Sequence, residues 1–508
     1  MTSRPGFAVW MAPLAVLTLL AVWRLLLAAT LPVTQDEAYY FHWARALAWG
    51  YFDHPPGVAL LSLGHRWWPD SVLAARFGTW LAANVSLVLL WRFYARCGLS
   101  GHQQTLALIL VGTTLPGVAF GVIATPDTAL ALCWVLALHE GLAALQGERP
   151  RWLSAGLATG LGLLSKYTMV LMGPVLLLAL VMADRAALRT RWPYLGALLA
   201  LMIFLPNVLW NAAHDWLTIR FQLGHGLELA TGALLPTAIE TTTASSLVQL
   251  APTHSERAAQ VGGFVLSQLL FWGFLLVALG WRRGNAPPPA PLSQPAQALL
   301  WAATLVPLVF FAVIAWISST VQPNWSAMYL FTAAAVLAQW RLSLRLVLAA
   351  SVANALLLSL YVLYAADSSA LPGNPPPRLL RETHGFAELA ATLPPAPLFA
   401  DRYQIAAMVN FYRPALQVGQ WPGITRPSEY LRGTLTPSAD SLHNDHFWLI
   451  TYKSTAPSIK GFQVAEQQTL VDCRRQPLQP WAEGAPPPCE QPLHVFRLYH
   501  YVINSAQP

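Results

Sequence analysis

Acidic residues in two short segments are the side chains whose type and placement best suit catalysis. Asp36 and Glu37 directly follow the first long apolar run, in residues 34–40 (TQDEAYY). Placing a carboxylate next to hydrocarbon costs free energy, so a carboxylate at a membrane boundary indicates a function. A carboxylate that faces an acceptor hydroxyl can act as a general base. The same reasoning applies to Asp127, in residues 125–128 (TPDT). The alternative for Asp36 and Asp127 is a helix cap, because acids favour helix N-termini.

Three cations are candidates for binding a phosphate. Lys166, in residues 163–167 (LLSKY), is the only lysine before Lys453. A lysine at the end of a membrane span either extends to the interface or meets a lipid phosphate at headgroup depth. Arg24 lies inside the first apolar run and is expected to face other helices. Arg66 is the third candidate.

Histidines raise the question of a metal ion. His54 lies in residues 50–57 (GYFDHPPG), and His225 lies in a later loop. Together with Glu37 they are the candidate ligands for a divalent metal, although their spacing does not indicate a site. Isolated histidines are more often hydrogen-bonded loop residues, so no cofactor is predicted for certain.

The elements that carry these residues are membrane helices. The 508-residue chain is 55% hydrophobic and only 10% charged, whereas soluble domains carry about a quarter charged residues. Its net charge of +7 comes from scattered arginines that form no patch, so nucleic-acid binding is not expected. Apolar runs predict eleven spans, near residues 8–31, 72–91, 104–120, 127–145, 153–166, 168–183, 193–210, 262–280, 297–317, 327–340 and 344–365.

The distribution of arginines among the loops predicts the orientation of the chain in the membrane. With the N-terminus inside, the predicted cytoplasmic loops hold many arginines and the external loops before Asp367 hold few. This is the positive-inside asymmetry, and an odd number of spans then places the C-terminus outside. The sequence therefore predicts an inner-membrane protein with a transmembrane domain at 1–366, external loops at 32–70 and 211–262, and a periplasmic domain at 367–508.

The C-terminal domain has an α/β pattern. Strands are predicted at 397–400, 447–451 and 493–501, and a helix at 403–411. Cys473 and Cys489 both lie in this domain, and an oxidising compartment predicts a disulfide between them. Cys97 and Cys133 are expected to be reduced.

Residues 34–40 and 50–57 together resemble the first external loop of the protein mannosyltransferase-like (family 39) GT-C glycosyltransferases. That superfamily includes the bacterial lipid A aminoarabinose transferase. Further similarity lies at Asp127, at residues 165–166, at residues 323–325 (PNW) and at residues 401–404 (DRYQ) with 411–412 (FY). The resemblance covers nearly the whole chain and is most specific in the first loop.

The resemblance implies a GT-C type multi-span enzyme that moves a sugar from a polyprenyl-phosphate donor, with inversion, to a lipid, glycan or protein acceptor. Asp36 matches the catalytic aspartate, Asp127 a second acidic position, and Lys166 a residue that contacts the lipid phosphate. Arg24 and Arg66 are further phosphate candidates. The expected substrate contacts are Glu37, Tyr39, Tyr40, Asp53, His54, Asn324 and Trp325.

Two other functions use similar features. A transporter or flippase of lipid-linked sugars would also carry charges among its helices, but the chain shows no inverted repeat, and its charges gather at one membrane face. A polymer ligase would use a lipid-linked donor as well. The sequence does not identify the sugar or the acceptor.

Overall fold

The computed structural model describes residues 8–68, 71–226, 253–281, 291–318, 321–340, 342–367, 377–439, 442, 446–473, 476–482 and 484–504. Helices dominate the chain up to residue 366, and short 3-10 segments connect several of them. The helices of this part are α1 (Ala8–Thr30), α2 (Gln35–Trp43), α3 (Gly57–Leu61), α4 (Val72–Cys97), α5 (Gly101–Gly112), α6 (Leu115–Val122), α7 (Pro126–Leu145), α8 (Arg151–Leu163), α9 (Met172–Ala183), α10 (Trp192–Ala212), α11 (Leu217–Gly226), α12 (His254–Leu270), α13 (Leu275–Gly280), α14 (Gln294–Ile317), α15 (Tyr329–Ala338) and α16 (Leu344–Ala366).

Every predicted span overlaps at least one of these helices, but their lengths differ. Among the described residues, six helices are long and apolar enough to cross a membrane, namely α1, α4, α7, α10, α14 and α16, and a bent pair, α5 with α6, would make seven. Several of the others, such as the 13-residue α8, are shorter than the ~20 residues that a full crossing needs. The membrane character is confirmed, and the count of eleven stays a prediction.

Helix α7 lies at the centre of the helical part. In its most apolar window 83% of the residues are buried inside the protein, against 22% for α10 and for α16. Leu201, Met202, Leu356 and Leu357 are among the large apolar side chains that those two outer helices expose. Such surfaces suit contact with lipid tails, so α7 is the helix that the others surround.

The predicted span at 104–120 is not one straight helix, because α5 and α6 meet at an angle of 72°. Arg24 lies buried against this break and donates to the carbonyl oxygens of Gly112 and Gly117, at 3.3 and 2.6 Å. The Asn354 amide of α16 donates to the carbonyl of Thr113 at 3.1 Å. These donors satisfy carbonyls that a broken helix leaves without partners.

The loop that follows α1, at residues 32–70, begins with a capped helix. Thr34 accepts from the backbone of Glu37, and the Glu37 carboxylate accepts from Thr34 in return, which is a capping box. The same carboxylate receives two hydrogen bonds from Arg76 of α4, at 2.8 and 2.6 Å, with both side chains fully buried. Arg76 also donates to the carbonyls of Ala28 and Leu31. The pair therefore joins the end of α1, the start of α2 and α4.

The C-terminal domain is α/β, as predicted. Its helices are α17 (Pro377–Thr383), α18 (Phe386–Thr392) and α19 (Tyr403–Tyr412), and its strands are β1 (Leu398–Ala400), β2 (Gly419–Gln420), β3 (His446–Thr451), β4 (Phe462–Asp472), β5 (Gln479–Pro480) and β6 (His494–Ile503). The strand order is β2-β1-β3-β6-β4-β5. Strand β1 runs parallel to β2 and β3, and the remaining pairs are antiparallel. The sequence predicted β1, β3, β6 and α19 but missed the other strands.

Cys473 and Cys489 form a disulfide that closes the segment after β4, as expected. Cys97 and Cys133 are not disulfide-bonded.

The loop at residues 32–70 and the C-terminal domain share one apolar core. Tyr39, Trp43 and Val58 of the loop lie in the same buried cluster as Ile405 and Met408 of α19. The loop at 32–70 is thus anchored both to the membrane helices, through Arg76, and to the C-terminal domain, through this core.

Changing Glu37 to Gln tests the anchor on the membrane side. Arg76 would keep a buried charge without its counterion, and removing one partner of a buried ion pair typically costs about 3–5 kcal/mol. We expect a large fall in the melting temperature of purified Glu37→Gln. Asp36→Asn is the matched control, since it makes the same chemical change at the neighbouring residue without touching the pair. Equal melting temperatures for the two variants would contradict this role of Glu37.

Candidate active site

Asp36 lies in the first turn of α2, but it does not cap the helix. Thr34 is the N-cap, and Glu37 is the acid of the capping box. The acid that caps this helix is therefore Glu37 and not Asp36. The Oδ1 atom of Asp36 instead accepts a hydrogen bond from the hydroxyl of Tyr403 in α19, at 3.1 Å. Asp36 thus joins the first loop to the C-terminal domain.

Asp36 lies at the surface of the protein, but neighbouring groups surround its carboxyl. Part of the residue is exposed, yet the loss of hydration at this position raises the pKa of Asp36 above its ordinary value. The hydrogen bond from Tyr403 lowers this pKa, and the nearby charge of Asp53 raises it. A carboxylate with a raised pKa that is reachable from outside suits a general base.

Arg426 provides a cation beside Asp36. Its guanidinium donates to Oδ1 of the buried Asp53 at 2.8 Å and lies 4.4 Å from the ring centre of Tyr403. It also lies 5.1 Å from the ring centre of Phe221 in α11. Three separate parts of the chain therefore hold this arginine, which the sequence analysis did not select.

Tyrosines form the wall of this site. The ring of Tyr39 lies 4.6 Å from that of Tyr403, and the ring of Tyr40 lies 4.9 Å from that of Trp43. Burial raises the pKa of Tyr39, Tyr40 and Tyr403 well above the ordinary value. Their hydroxyls therefore stay protonated at neutral pH and act as neutral hydrogen-bond donors.

Glu429 fastens the C-terminal domain onto the loop. Its carboxylate accepts from the backbone of Phe52 at 2.8 Å, and its own backbone N–H donates to the hydroxyl of Tyr39 at 2.7 Å. Next to it, the hydroxyl of Tyr430 and Nδ1 of His42 lie 2.6 Å apart. These buried polar contacts fix the register between the two parts.

A second cluster contains three residues that the sequence analysis selected separately. Lys166 lies 2.8 Å from Oδ1 of Asp127, and the amide of Asn324 donates to Oδ2 at 3.0 Å. Lys166 and Asp127 are both largely buried. The lysine is therefore an ion-paired group rather than one that extends freely to the interface.

The first loop also contacts the turn that carries Lys166. The backbone N–H of Gly57 donates to the carbonyl of Leu164 at 2.8 Å. A Cβ at residue 57 would lie 2.7 Å from the Cα and Oγ atoms of Ser165, so a larger side chain would push the loop away. Glycine at this position lets the loop approach the second cluster closely.

Four other residues that the sequence analysis selected do not contact Asp36 or Lys166 in the hydrogen bonds and ion pairs described above. Arg24 is buried against the α5–α6 break, where it donates to carbonyl oxygens, and Glu37 is fully buried in its ion pair. Arg66 is exposed beside the exposed Trp67. Trp325 packs on Phe311, with ring centres 6.0 Å apart.

His54 contacts α11, since its Nδ1 lies 3.2 Å from the amide of Gln222. The same amide donates to the carbonyl of Asp53 at 2.5 Å. Among the described side chains, no group of three or more His, Cys, Asp and Glu residues could hold a metal ion. The oxygens of Glu37 are engaged by Arg76, and the side chain of His225 lies outside the described part. Glu37 and His54 therefore do not fit a metal site, and a bound metal stays an untested expectation.

Sequence comparison agrees with the predicted family. Residues 53–210 match the model of the dolichyl-phosphate-mannose-protein mannosyltransferase family. The resemblance to this glycosyltransferase family is confirmed. The matched segment contains Asp53, Asp127 and Lys166, while Asp36 lies before it.

Two relatives come from Rhizobium johnstonii. The lipid A galacturonosyltransferase RgtD is 25% identical over 317 residues, which is 61% of this chain and 60% of the relative. The lipopolysaccharide core galacturonosyltransferase RgtA is 34% identical over 193 residues, which is 34% of this chain and 36% of the relative. The chain thus matches less than two thirds of either relative's length.

Among solved structures, ArnT from Cupriavidus metallidurans in the apo state aligns over 96% of this chain and 97% of its own length, with 13% identity and a TM-score of 0.47.

Replacing Lys166 by Ala tests the second cluster. The change leaves Asp127 largely buried without its cation, so we expect a destabilisation of about 3–5 kcal/mol and a lower melting temperature. Adding Asp127→Asn should recover much of the loss, because the uncompensated charge is then gone. A double variant whose loss equals the sum of the two single losses would show that the two residues do not stabilise each other.

Proposed function

We propose that this chain is an inverting glycosyltransferase that moves a sugar from a polyprenyl-phosphate donor to a lipid A or lipopolysaccharide acceptor on the periplasmic side of the inner membrane. The observation that carries the proposal is the environment of Asp36. It combines an exposed residue, a raised carboxyl pKa and a hydrogen bond from Tyr403. The family match and the two lipopolysaccharide-modifying relatives support the reaction class.

The reaction requires a base and a cation. Asp36 takes the proton of the acceptor hydroxyl while its oxygen attacks the anomeric carbon, and the bond from that carbon to the phosphate oxygen breaks. Polyprenyl phosphate leaves with the bonding electrons, and attack opposite the leaving group inverts the configuration. An acceptor that attacks through a phosphate oxygen brings no proton to remove, and Asp36 then orients it or stabilises positive charge on the sugar ring.

Lys166 is the proposed partner of the departing phosphate. An ammonium group has three N–H donors, and the bond to Oδ1 of Asp127 uses one of them. Asp127 holds the lysine in place, and Asn324 holds Asp127. In this proposal Asp127 is a positioning residue rather than a second base.

Arg426 and the tyrosines are proposed to contact the donor sugar. Arg426 lies next to the Tyr403 ring, and its side chain is partly exposed. Aromatic rings and fixed hydrogen-bond donors are the groups with which proteins bind small polar molecules in a cleft. Asp53 keeps the guanidinium oriented through their ion pair.

Asp36→Asn tests the base directly. Asparagine is nearly isosteric but cannot accept a proton at neutral pH, so transfer should fall by ~10²–10⁴-fold with an unchanged melting temperature. The measurement is sugar release and transfer from defined polyprenyl-phosphate sugars, which also separates transfer from transport. Asp215→Asn is the control, because it alters an exposed carboxylate in the second external loop. Near-normal turnover in Asp36→Asn would exclude Asp36 as the base.

Tyr403→Phe tests the contact between the two domains. The hydrogen bond from Tyr403 lowers the pKa of Asp36, so its removal should raise that pKa further. Asp36 must be deprotonated to act as a base, and the acid limb of the kcat/KM profile should therefore move to higher pH. Activity lost at neutral pH should return as the pH rises.

The control for this experiment is Tyr501→Phe, which removes a hydroxyl bonded to the carbonyl of Pro457 in the same domain. Its pH profile should match that of the unmodified protein. A uniform loss of rate at every pH in Tyr403→Phe would contradict a direct effect on Asp36.

A further inference from the structure

A cavity of about 590 Å³ lies between the start of α2 and the C-terminal domain. Six of the residues that line it are polar or charged, namely Gln35, Arg378, Arg381, Glu382, Tyr452 and His494. Its volume falls within the range of pockets that bind small molecules. The base and phosphate contacts described above do not use these residues.

Two polar atoms of the cavity-lining residues lack hydrogen-bond partners within the part of the chain that the structure describes. The hydroxyl of Tyr452 and Nε2 of His494 are buried and have no hydrogen-bond partner among the described residues. Their rings stack with centres 5.4 Å apart and an interplanar angle of 14°. Burial lowers the pKa of His494 to about 4, so the imidazole is neutral at physiological pH. Buried polar groups without partners are costly, and a bound ligand would satisfy them.

The charges of the cavity favour an anion. Arg378 and Arg381 are three residues apart on α17, a spacing that places both on one side of a helix. Glu382 pairs with Arg378 at 3.0 Å and offsets one of the two charges. The guanidinium of Arg402 lies 5.0 Å from the ring centre of Tyr452, but it pairs with Asp401 and does not line the cavity. Arginine suits phosphate, because its planar fork can donate two parallel hydrogen bonds.

The cavity adjoins Asp36 and the membrane helices. The Gln35 amide, next to Asp36 in the chain, donates to the carbonyl of Arg381 at 3.2 Å. Helix α17 also contacts α16, the last long apolar helix of the chain. An anion held by Arg378 and Arg381 would therefore lie beside the proposed base.

We propose that this cavity binds the phosphate-bearing saccharide headgroup of the acceptor lipid and presents it to Asp36. This inference rests on the proposed function and names the part of its substrate that the C-terminal domain recognises. The donor phosphate is assigned to Lys166, in a separate cluster at the helix ends. The cavity walls are polar and partly belong to the C-terminal domain, so they suit a sugar headgroup better than a polyprenyl chain.

The test measures binding by the full-length protein in detergent. The probes are diphosphoryl lipid A, its dephosphorylated counterpart and a polyprenyl phosphate. The double variant Arg378→Gln/Arg381→Gln should bind diphosphoryl lipid A at least about tenfold more weakly, since two charged donors are lost. Its affinities for the other two probes should not change. The charge-matched control is Lys453→Gln/Lys460→Gln, which removes two positive charges from the same domain outside the cavity.

Tyr452→Phe provides a second test that does not depend on charge. The hydroxyl has no protein partner among the described residues, so its removal should leave the melting temperature unchanged or raise it. Binding of diphosphoryl lipid A should nevertheless weaken. A lower melting temperature with unchanged binding would show that the hydroxyl serves the fold.

Three results would overturn the proposal. They are unchanged binding of diphosphoryl lipid A by the arginine variant, an equal loss in the lysine control, and a loss confined to the polyprenyl phosphate, which would assign the cavity to the donor. Failure of the proposed function is seen separately, as absence of sugar transfer by the unmodified protein.

Discussion

The ion pair between Arg76 and Glu37 is the interaction on which the candidate active site depends. Both side chains are fully buried, and Arg76 also donates to carbonyls at the end of α1. Two charges without water need almost complete hydrogen bonding, and this requirement fixes α2 against α4 in one orientation. Asp36 is the residue before Glu37, so the pair that holds Glu37 inside leaves Asp36 directed outward.

The second constraint comes from the C-terminal domain, which provides groups that the membrane helices lack. Tyr403 and Arg426 approach Asp36 and Asp53 from a part of the chain more than 350 residues away. They are held by the core that α19 shares with the first loop and by the contact between Glu429 and Phe52. The domain therefore completes the site rather than only covering it.

Periodic patterns predicted the elements, and local motifs predicted part of the site. Apolar runs located the membrane helices, alternating residues located β3 and β6, and compartment chemistry predicted the disulfide. The capping box at Thr34 and Glu37 was visible in the sequence and could have separated structural Glu37 from Asp36. The apolar run at 104–120 did not indicate the break between α5 and α6, so the contact of Arg24 with a carbonyl near this break could not be predicted.

Long-range partners could not be predicted in the same way. Nothing near Arg426 indicates that it pairs with Asp53, because that contact depends on how the domain docks. The pairing of Lys166 with Asp127 likewise depends on the packing of α7 against the turn after α8.

The most direct test of the account is a cryo-EM structure of the full chain with a non-transferable polyprenyl-phosphate sugar and an acceptor saccharide. The account predicts the sugar next to Asp36, Tyr403 and Arg426, with the acceptor oxygen about 2.6–3.2 Å from the Asp36 carboxylate. It also predicts the donor phosphate near Lys166. A sugar bound where Asp36 cannot reach the acceptor oxygen would contradict the central claim.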